Sequence, residues 1–196
     1  MAKKIAIGIV VFVVLFLGYV STRSGSFRYE NSTVINASSD KIFPYLSNLK
    51  KGGQWNPYEQ ADPNMVKNFS GTDGAVGSKM EFKGNKDAGA GSLEILEIKP
   101  NEFAKLKLIM TEPMHGEQLI EYSLTPEGQG TKFTWTMHGE GGFMTKLMTV
   151  LIDCEKMFRT QMDKGFENLK KVVEAPAGSA EAAPSATPAA EASPAK

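Results

Sequence analysis

FMTKLMTVLIDCEKMFRTQMDKGFENLKKVV, residues Phe143 to Val173, is the stretch whose reading decides the fold. Its apolar side chains recur at Phe143, Leu147, Val150, Leu151, Cys154, Met157, Phe158, Met162, Phe166, Leu169 and Val172 or Val173. That spacing keeps to one helix face, a period near 3.6 residues, for about eight turns. The pattern predicts a single helix, about 45 Å long if unbroken, which is enough to lie across a whole sheet.

The sequence before it supplies that sheet. Between Trp55 and Glu140 turn signals recur at Gly71 to Gly77, Gly84 to Gly91, Pro100-Asn101, Pro113 to Gly116 and Pro126 to Gly130, with no helical pattern of useful length. The runs between them alternate. Ala104, Leu106, Leu108 and Met110 alternate with Lys105 and Lys107, Ile120, Tyr122 and Leu124 with Glu121 and Ser123, and Phe133, Trp135 and Met137 with Thr134 and Thr136. One wet face and one apolar face per strand is the pattern of an antiparallel sheet covered on one side. The alternation slips at Ile95-Leu96, which predicts a bulge.

Further out, Phe27 to Ile35 is rich in aromatic and β-branched residues and leads into the capping cluster Asn36 to Asp40. A helix carrying Ile42, Phe43, Tyr45, Leu46 and Leu49 follows and stops near Lys51-Gly52-Gly53, with a short turn holding Trp55 before Pro57. The order strand, helices, six strands, long helix is that of an α+β domain, a curved antiparallel sheet of about seven strands closed by its C-terminal helix.

Both ends lie outside this domain. Ile5 to Val20 is sixteen residues without a charge, preceded by Lys3 and Lys4 and followed by Arg23. Ala2, Ser21 and Thr22 extend it towards the ~20 residues that a transmembrane helix needs. A cleaved signal peptide is the competing reading, but no small-x-small site follows the apolar run directly, so an uncleaved anchor is favoured. Lys3 and Lys4 beside the amino terminus favour a cytoplasmic start and a domain outside the cytoplasm. Ala175 to Lys196 holds ten Ala, four Pro and three Ser and no aromatic or branched aliphatic side chain, so it is expected to be a disordered tail. The chain thus divides into an anchor and linker at 1–26, a domain at 27–174 and a tail at 175–196.

Charge and cysteine content narrow the chemistry. The 22 bases balance the 22 acids. With Lys3, Lys4, Arg23 and Lys196 set aside, and likewise Glu181 and Glu191, the domain keeps 18 bases and 20 acids. Such a surface has no positive field for nucleic acid or anionic lipid. Cys154 is the one cysteine, and His115 and His138 are the two histidines, which leaves no internal disulfide and too few soft ligands for a cysteine-rich metal site. No cofactor or metal is expected.

Four local strings, read with the order of elements, carry a resemblance. They are Gln54-Trp55-Asn56-Pro57, Asp62-Pro63-Asn64-Met65, Gly84-Asn85-Lys86 followed by Gly89-Ala90-Gly91, and Gly130-Thr131-Lys132-Phe133-Thr134-Trp135. Over about Phe27 to Glu174 the chain resembles the polyketide cyclase/dehydrase branch of the START-like (SRPBCC) superfamily. The resemblance implies a helix-grip fold with a deep cavity between sheet and C-terminal helix that accepts an apolar ligand. Its members include lipid-transfer domains, plant allergens, coenzyme Q binders and cyclases, so it is informative for fold and open for activity. Relatives often carry a second tryptophan where Gly52 stands, which implies a wider entrance here.

Few residues suggest catalysis. Gly89-Ala90-Gly91 lacks the following helix that a pyrophosphate site requires and reads as turn or bulge glycines. Glu94 and Glu97 fall on opposite strand faces unless the bulge realigns them, and Asp153 and Glu155 diverge on a helix. His138 belongs to the wet face of its strand, His115 to a turn, and Cys154 to the apolar helix stripe. Tyr122 and Trp135 point to the apolar face, each with a polar atom that wants a partner. Nine methionines in the domain suit either a greasy cavity or loose core filling.

The expectation is a membrane-tethered binding or carrier domain for a lipid, quinone or polyketide-like molecule. Trp55, Met80, Phe82, Leu106, Leu108, Tyr122, Phe133, Trp135, Met137, Leu147, Leu151 and Phe158 are expected to line or gate its cavity. The alternatives are a cyclase/dehydrase-like enzyme using Tyr122 or a histidine for proton transfer, and an envelope interaction scaffold working through the tail. The expected partners are an apolar small molecule and, through Ile5 to Val20, a membrane, with no nucleic acid.

Overall fold

The computed structural model describes residues 2–175. The alternating runs form a seven-stranded antiparallel sheet in the order β1-β7-β6-β5-β4-β3-β2. Its strands are β1 (Ser26–Ile35), β2 (Val66–Ser70), β3 (Lys79–Lys83), β4 (Ala90–Lys99), β5 (Phe103–Glu112), β6 (Gly116–Glu127) and β7 (Gly130–Glu140). Each hairpin brings apolar residues of equal parity together, so that Tyr122 lies opposite Trp135 and Leu124 opposite Phe133. The register between β4 and β5 shifts between Ile95 and Glu97, which turns Leu96 outward and bends the strand where the alternation slips. The same shift brings Glu94 and Glu97 onto one face, opposite Lys107 and Lys105, on the outside of the sheet.

Five helices and a 3-10 segment complete the chain: α1 (Ala2–Ser21), α2 (Ser39–Ser47), the 3-10 segment (Leu49–Gln54), α3 (Pro57–Gln60), α4 (Phe143–Leu151) and α5 (Cys154–Val173). The helix read from Ile42 to Leu49 therefore ends sooner, and Asn48 restarts the chain by accepting a hydrogen bond from the Lys50 backbone. The last helix differs more. The stretch Phe143 to Val173 is two helices, separated at Ile152, whose backbone is extended, and Asp153, whose carboxylate caps α5 by accepting from Lys156 N at 3.0 Å. Aspartate is a strong cap and a weak interior helix residue, while the three-residue step from Leu151 to Cys154 keeps the apolar period across the break. Periodicity alone therefore reads through it.

α5 is the helix that covers the sheet. It buries Met162, Gly165, Phe166 and Leu169. Asn31 of β1 donates to Asp163 at 2.7 Å, and Asn36 N donates to Glu174 at 2.8 Å, pinning the helix to the sheet edge. α4 buries no residue and packs instead beside α1. α1 is the one described helix long and apolar enough to cross a membrane. The expectation of a disordered tail at 175–196 lies, from Pro176 onward, outside the described residues.

Candidate functional site

The space between α5 and the inner sheet face is filled at one end and hollow at the other. At the filled end, Trp55, Tyr122, Phe133, Trp135 and Phe166 meet edge to face with ring centroids 5.3 to 6.4 Å apart. Such contacts add to the burial energy of the rings. Trp55 is fixed by its indole, which donates to the Tyr45 carbonyl at 2.9 Å. The string Gln54-Trp55-Asn56-Pro57 thereby acquires a local meaning. Trp55 anchors the cluster, Asn56 caps α3 by accepting from Tyr58 N, and Pro57 occupies its first turn.

Beyond the cluster lies a cavity of about 350 Å³, within the roughly 300 to 1,000 Å³ typical of ligand sites. Its wall is built from inward residues of five neighbouring strands, β3 to β7, with the start of α5 and with Tyr58 and Glu59 of α3. Of the residues expected to line it, Met80, Phe82, Leu108, Trp135, Met137 and Phe158 do so. The other six lie elsewhere. Trp55, Leu106, Tyr122 and Phe133 are buried in the core instead, the three rings packed edge to face. Leu147 and Leu151 sit on α4, which the break at Asp153 carries off the sheet, and Leu151 is 62% exposed.

Among the wall residues missing from the expectation, two sets differ in the signal they carried. Leu93, Met110 and Ile120 share the inward parity of residues that were counted, so the alternation could have found them. Tyr58 and Glu59 of α3 and its capping residue Asn56 had no such signal, since a four-residue helix has no readable period. These three give the cavity a polar wall. Glu59 is buried and pairs with Lys67 at 2.6 Å. A side chain on Gly52 would strike the Glu59 carboxylate, so the absence of a Cβ at Gly52 is what seats that group. Burial raises the Glu59 carboxyl above its ordinary value, with the hydrogen bond and charge of Lys67 opposing. Burial pushes the Tyr58 phenol up to about 12. The Tyr122 phenol also moves upward, through burial first and then the neighbouring Glu59 and Tyr58.

Two other strings of the sequence meet beside the cavity. Asp62 accepts from Asn85 N at 2.6 Å, and the Asn85 side chain accepts from Asp87 N and Ala88 N. Asp87 and Ala88 thus border the cavity, while Gly89 and the register shift at Gly91 turn the chain into β4. Tyr122, His115 and His138, the candidates for proton transfer, are absent from the wall. His138 lies on the outer face of β7 with Nε2 3.3 Å from Glu121, near enough for ionic attraction but without hydrogen-bond alignment. Two buried polar atoms of wall residues, Trp135 Nε1 and Gln118 Oε1, have no hydrogen-bond partner among the described residues. No cluster of three or more His, Cys, Asp or Glu suited to a metal ion occurs among the described residues.

The model of a family described as polyketide cyclase/dehydrase and lipid transport matches residues 26–174. Among curated proteins, none matches. Solved structures of similar fold include a protein from Chromobacterium violaceum at 16% identity and TM-score 0.55, covering 78% of this chain and 99% of its own. The Aha1 dimer from Colwellia psychrerythraea is similar at 20% identity and TM-score 0.52, with the same coverages. A protein of unknown function from Staphylococcus aureus is similar at 11% identity and TM-score 0.58, covering 78% and 98%. At these identities the likeness is one of fold.

Proposed function

We propose, on the premise that the chain belongs to the polyketide cyclase/dehydrase and lipid transport family, that it is a membrane-anchored binding or carrier domain for an apolar small molecule. The observation that carries the reading is the cavity of about 350 Å³ with a predominantly apolar wall. Transfer of a greasy ligand into such a space gains about 25 cal/mol for each Å² of apolar surface removed from water. The methionines at the wall, Met65, Met80, Met110, Met137 and Met157, suit ligands of varied outline. α1 supports the anchor by its length and composition. With Lys3 and Lys4 at the amino-terminal side, the domain stands outside the cytoplasm.

The test is native mass spectrometry of the full chain released from nanodiscs, paired with displacement of an apolar fluorescent probe. A co-purified apolar molecule is expected, and Leu108→Trp, which fills the hollow, should weaken probe binding at least tenfold without unfolding the domain. Unchanged probe binding in that variant would count against the site.

The polar wall favours a second reading, in which the cavity orients a polyketone and Glu59 accepts a proton beside Tyr58. Turnover of a supplied polyketone that Glu59→Gln abolishes, with probe affinity intact, would place this reading first.

A further inference from the structure

α4 is an apolar helix that the domain leaves uncovered. Six of its nine residues, Phe143, Met144, Leu147, Met148, Val150 and Leu151, are apolar, and it buries none of them. A helix this short is marginal in water without a packed face. Phe143, Met144, Leu151 and Ile152, with Met157 at the start of α5 and Met114 in the β5–β6 hairpin, are between 43% and 62% exposed. No acidic side chain occurs from Gly141 to Ile152, and the one charge, Lys146, donates to the Ser21 carbonyl at the end of α1. Gly141 N donates to the Gly25 carbonyl, which fastens the start of α4 to the linker after α1.

The sheet register places this ridge. Ser26 pairs with Glu140, Gln118 with Gly139, Met110 with Gly116 and Ala90 with Glu112. The linker from α1, the start of α4, the β5–β6 hairpin and the β3–β4 loop therefore share one end of the sheet. The exposed residues of the cavity wall, Asp87, Pro113 and Met157, lie at that end. Met157 belongs to both the ridge and the wall.

We propose that α4, together with Ile152, Met157 and the Met114 hairpin tip, lies in the interfacial layer of the bilayer that α1 enters, so that this end of the cavity faces lipid directly. The proposal rests on the reading of α1 as a membrane span. Its occupant is the bilayer rather than a second copy, because the ridge is continuous with α1 and has no acidic side chain along α4. Apolar burial drives the insertion, as for other interfacial helices. With no basic cluster on the ridge, the contact is indifferent to anionic lipid.

The experiment uses the full chain with Cys154→Ala and one added cysteine at a time, Val11→Cys, Met144→Cys, Leu151→Cys or Glu127→Cys, each labelled with an environment-sensitive fluorophore. The proteins are reconstituted in phosphatidylcholine vesicles with and without a nitroxide on the upper acyl chain, and circular dichroism checks folding. Labels at 144 and 151 should be quenched several-fold, as at 11, while the label at 127, at the end of β6 on the opposite end of the sheet, stays unquenched. Quenching at 11 with 144 and 151 behaving like 127 overturns the proposal and leaves the anchor standing, including the case where a second copy covers the ridge. Absence of quenching at all four positions overturns both the anchor and the ridge.

Discussion

Replacing a helical glycine by alanine ordinarily stabilises a helix by up to about 1 kcal/mol, but at Gly165 the sign reverses. A Cβ there would stand 2.9 Å from Trp135 Cζ3 and 3.3 Å from Pro57 Cδ, against rigid rings that have no free end to swing away. Overpacking of this kind costs about 1 to 3 kcal/mol. Gly165→Ala is therefore expected to lose about 1 to 2 kcal/mol net, read as a lowered denaturant midpoint, and an unchanged or raised midpoint would mean that the aromatic cluster is looser than its contacts indicate. Carboxylates offer a second test at this scale. Burial of Glu121 acts to raise its carboxyl, yet the neighbouring Lys105 and His138 side chains outweigh it and hold the carboxyl below its ordinary value. A lowered folded value contributes stability that is present above 4.5 and is lost as pH falls through the folded value. Glu121→Gln should then be less stable than the natural chain at neutral pH, and the gap between their unfolding midpoints should close on acidification. Glu59, shifted upward, acts in the opposite sense, its stability contribution fading as pH rises above 4.5.

At the scale of the element, the division between α4 and α5 matters most. α5 owes its start to Asp153, whose side chain satisfies one of the four amide groups left open at a helix beginning. Asp153→Ala should cost about 1 kcal/mol, measured by thermal unfolding of the full chain. Equal stability of the variant would show that the break is held by the docking of α4 and α1 instead. The two helices obey different masters. α5 has a partner in the sheet and buries four residues, whereas α4 has α1 on one side and no cover on its apolar remainder. Their shared period in the sequence conceals this, because hydrophobic spacing reports which side chains face together and not what they face.

For the molecule as a whole, an open-ended cavity beside a solid aromatic wall means that occupancy and stability are linked. A ligand that binds only the folded state stabilises it by about 2.7 kcal/mol at a hundred times its dissociation constant. Incubating the full chain with a saturating apolar ligand should raise its midpoint of thermal unfolding, and Leu108→Trp should abolish the increment while keeping a cooperative transition. A ligand-induced shift of equal size in that variant would place the ligand outside the cavity between sheet and α5.

Much of this architecture was legible in the chain before it folded. Period-two alternation in β4 to β7 and its slip at Leu96 determined the strands, their inward faces and the bulge, because a strand's side chains can point only two ways. The sixteen uncharged residues from Ile5 determined an exposed apolar helix apart from the domain core. What tertiary structure alone decided was which inward residues are spent on a closed core and which border a hollow. Tyr122 and Phe133 carry the same pattern as Met137 and Leu108, yet Trp55, arriving from a segment some seventy residues earlier, closes over the first pair and not the second. The polar wall of Tyr58 and Glu59 depends likewise on Gly52 and Lys67 meeting around α3. Periodicity is a local property of the backbone, whereas an empty volume is defined by how distant segments meet, and no single segment records it.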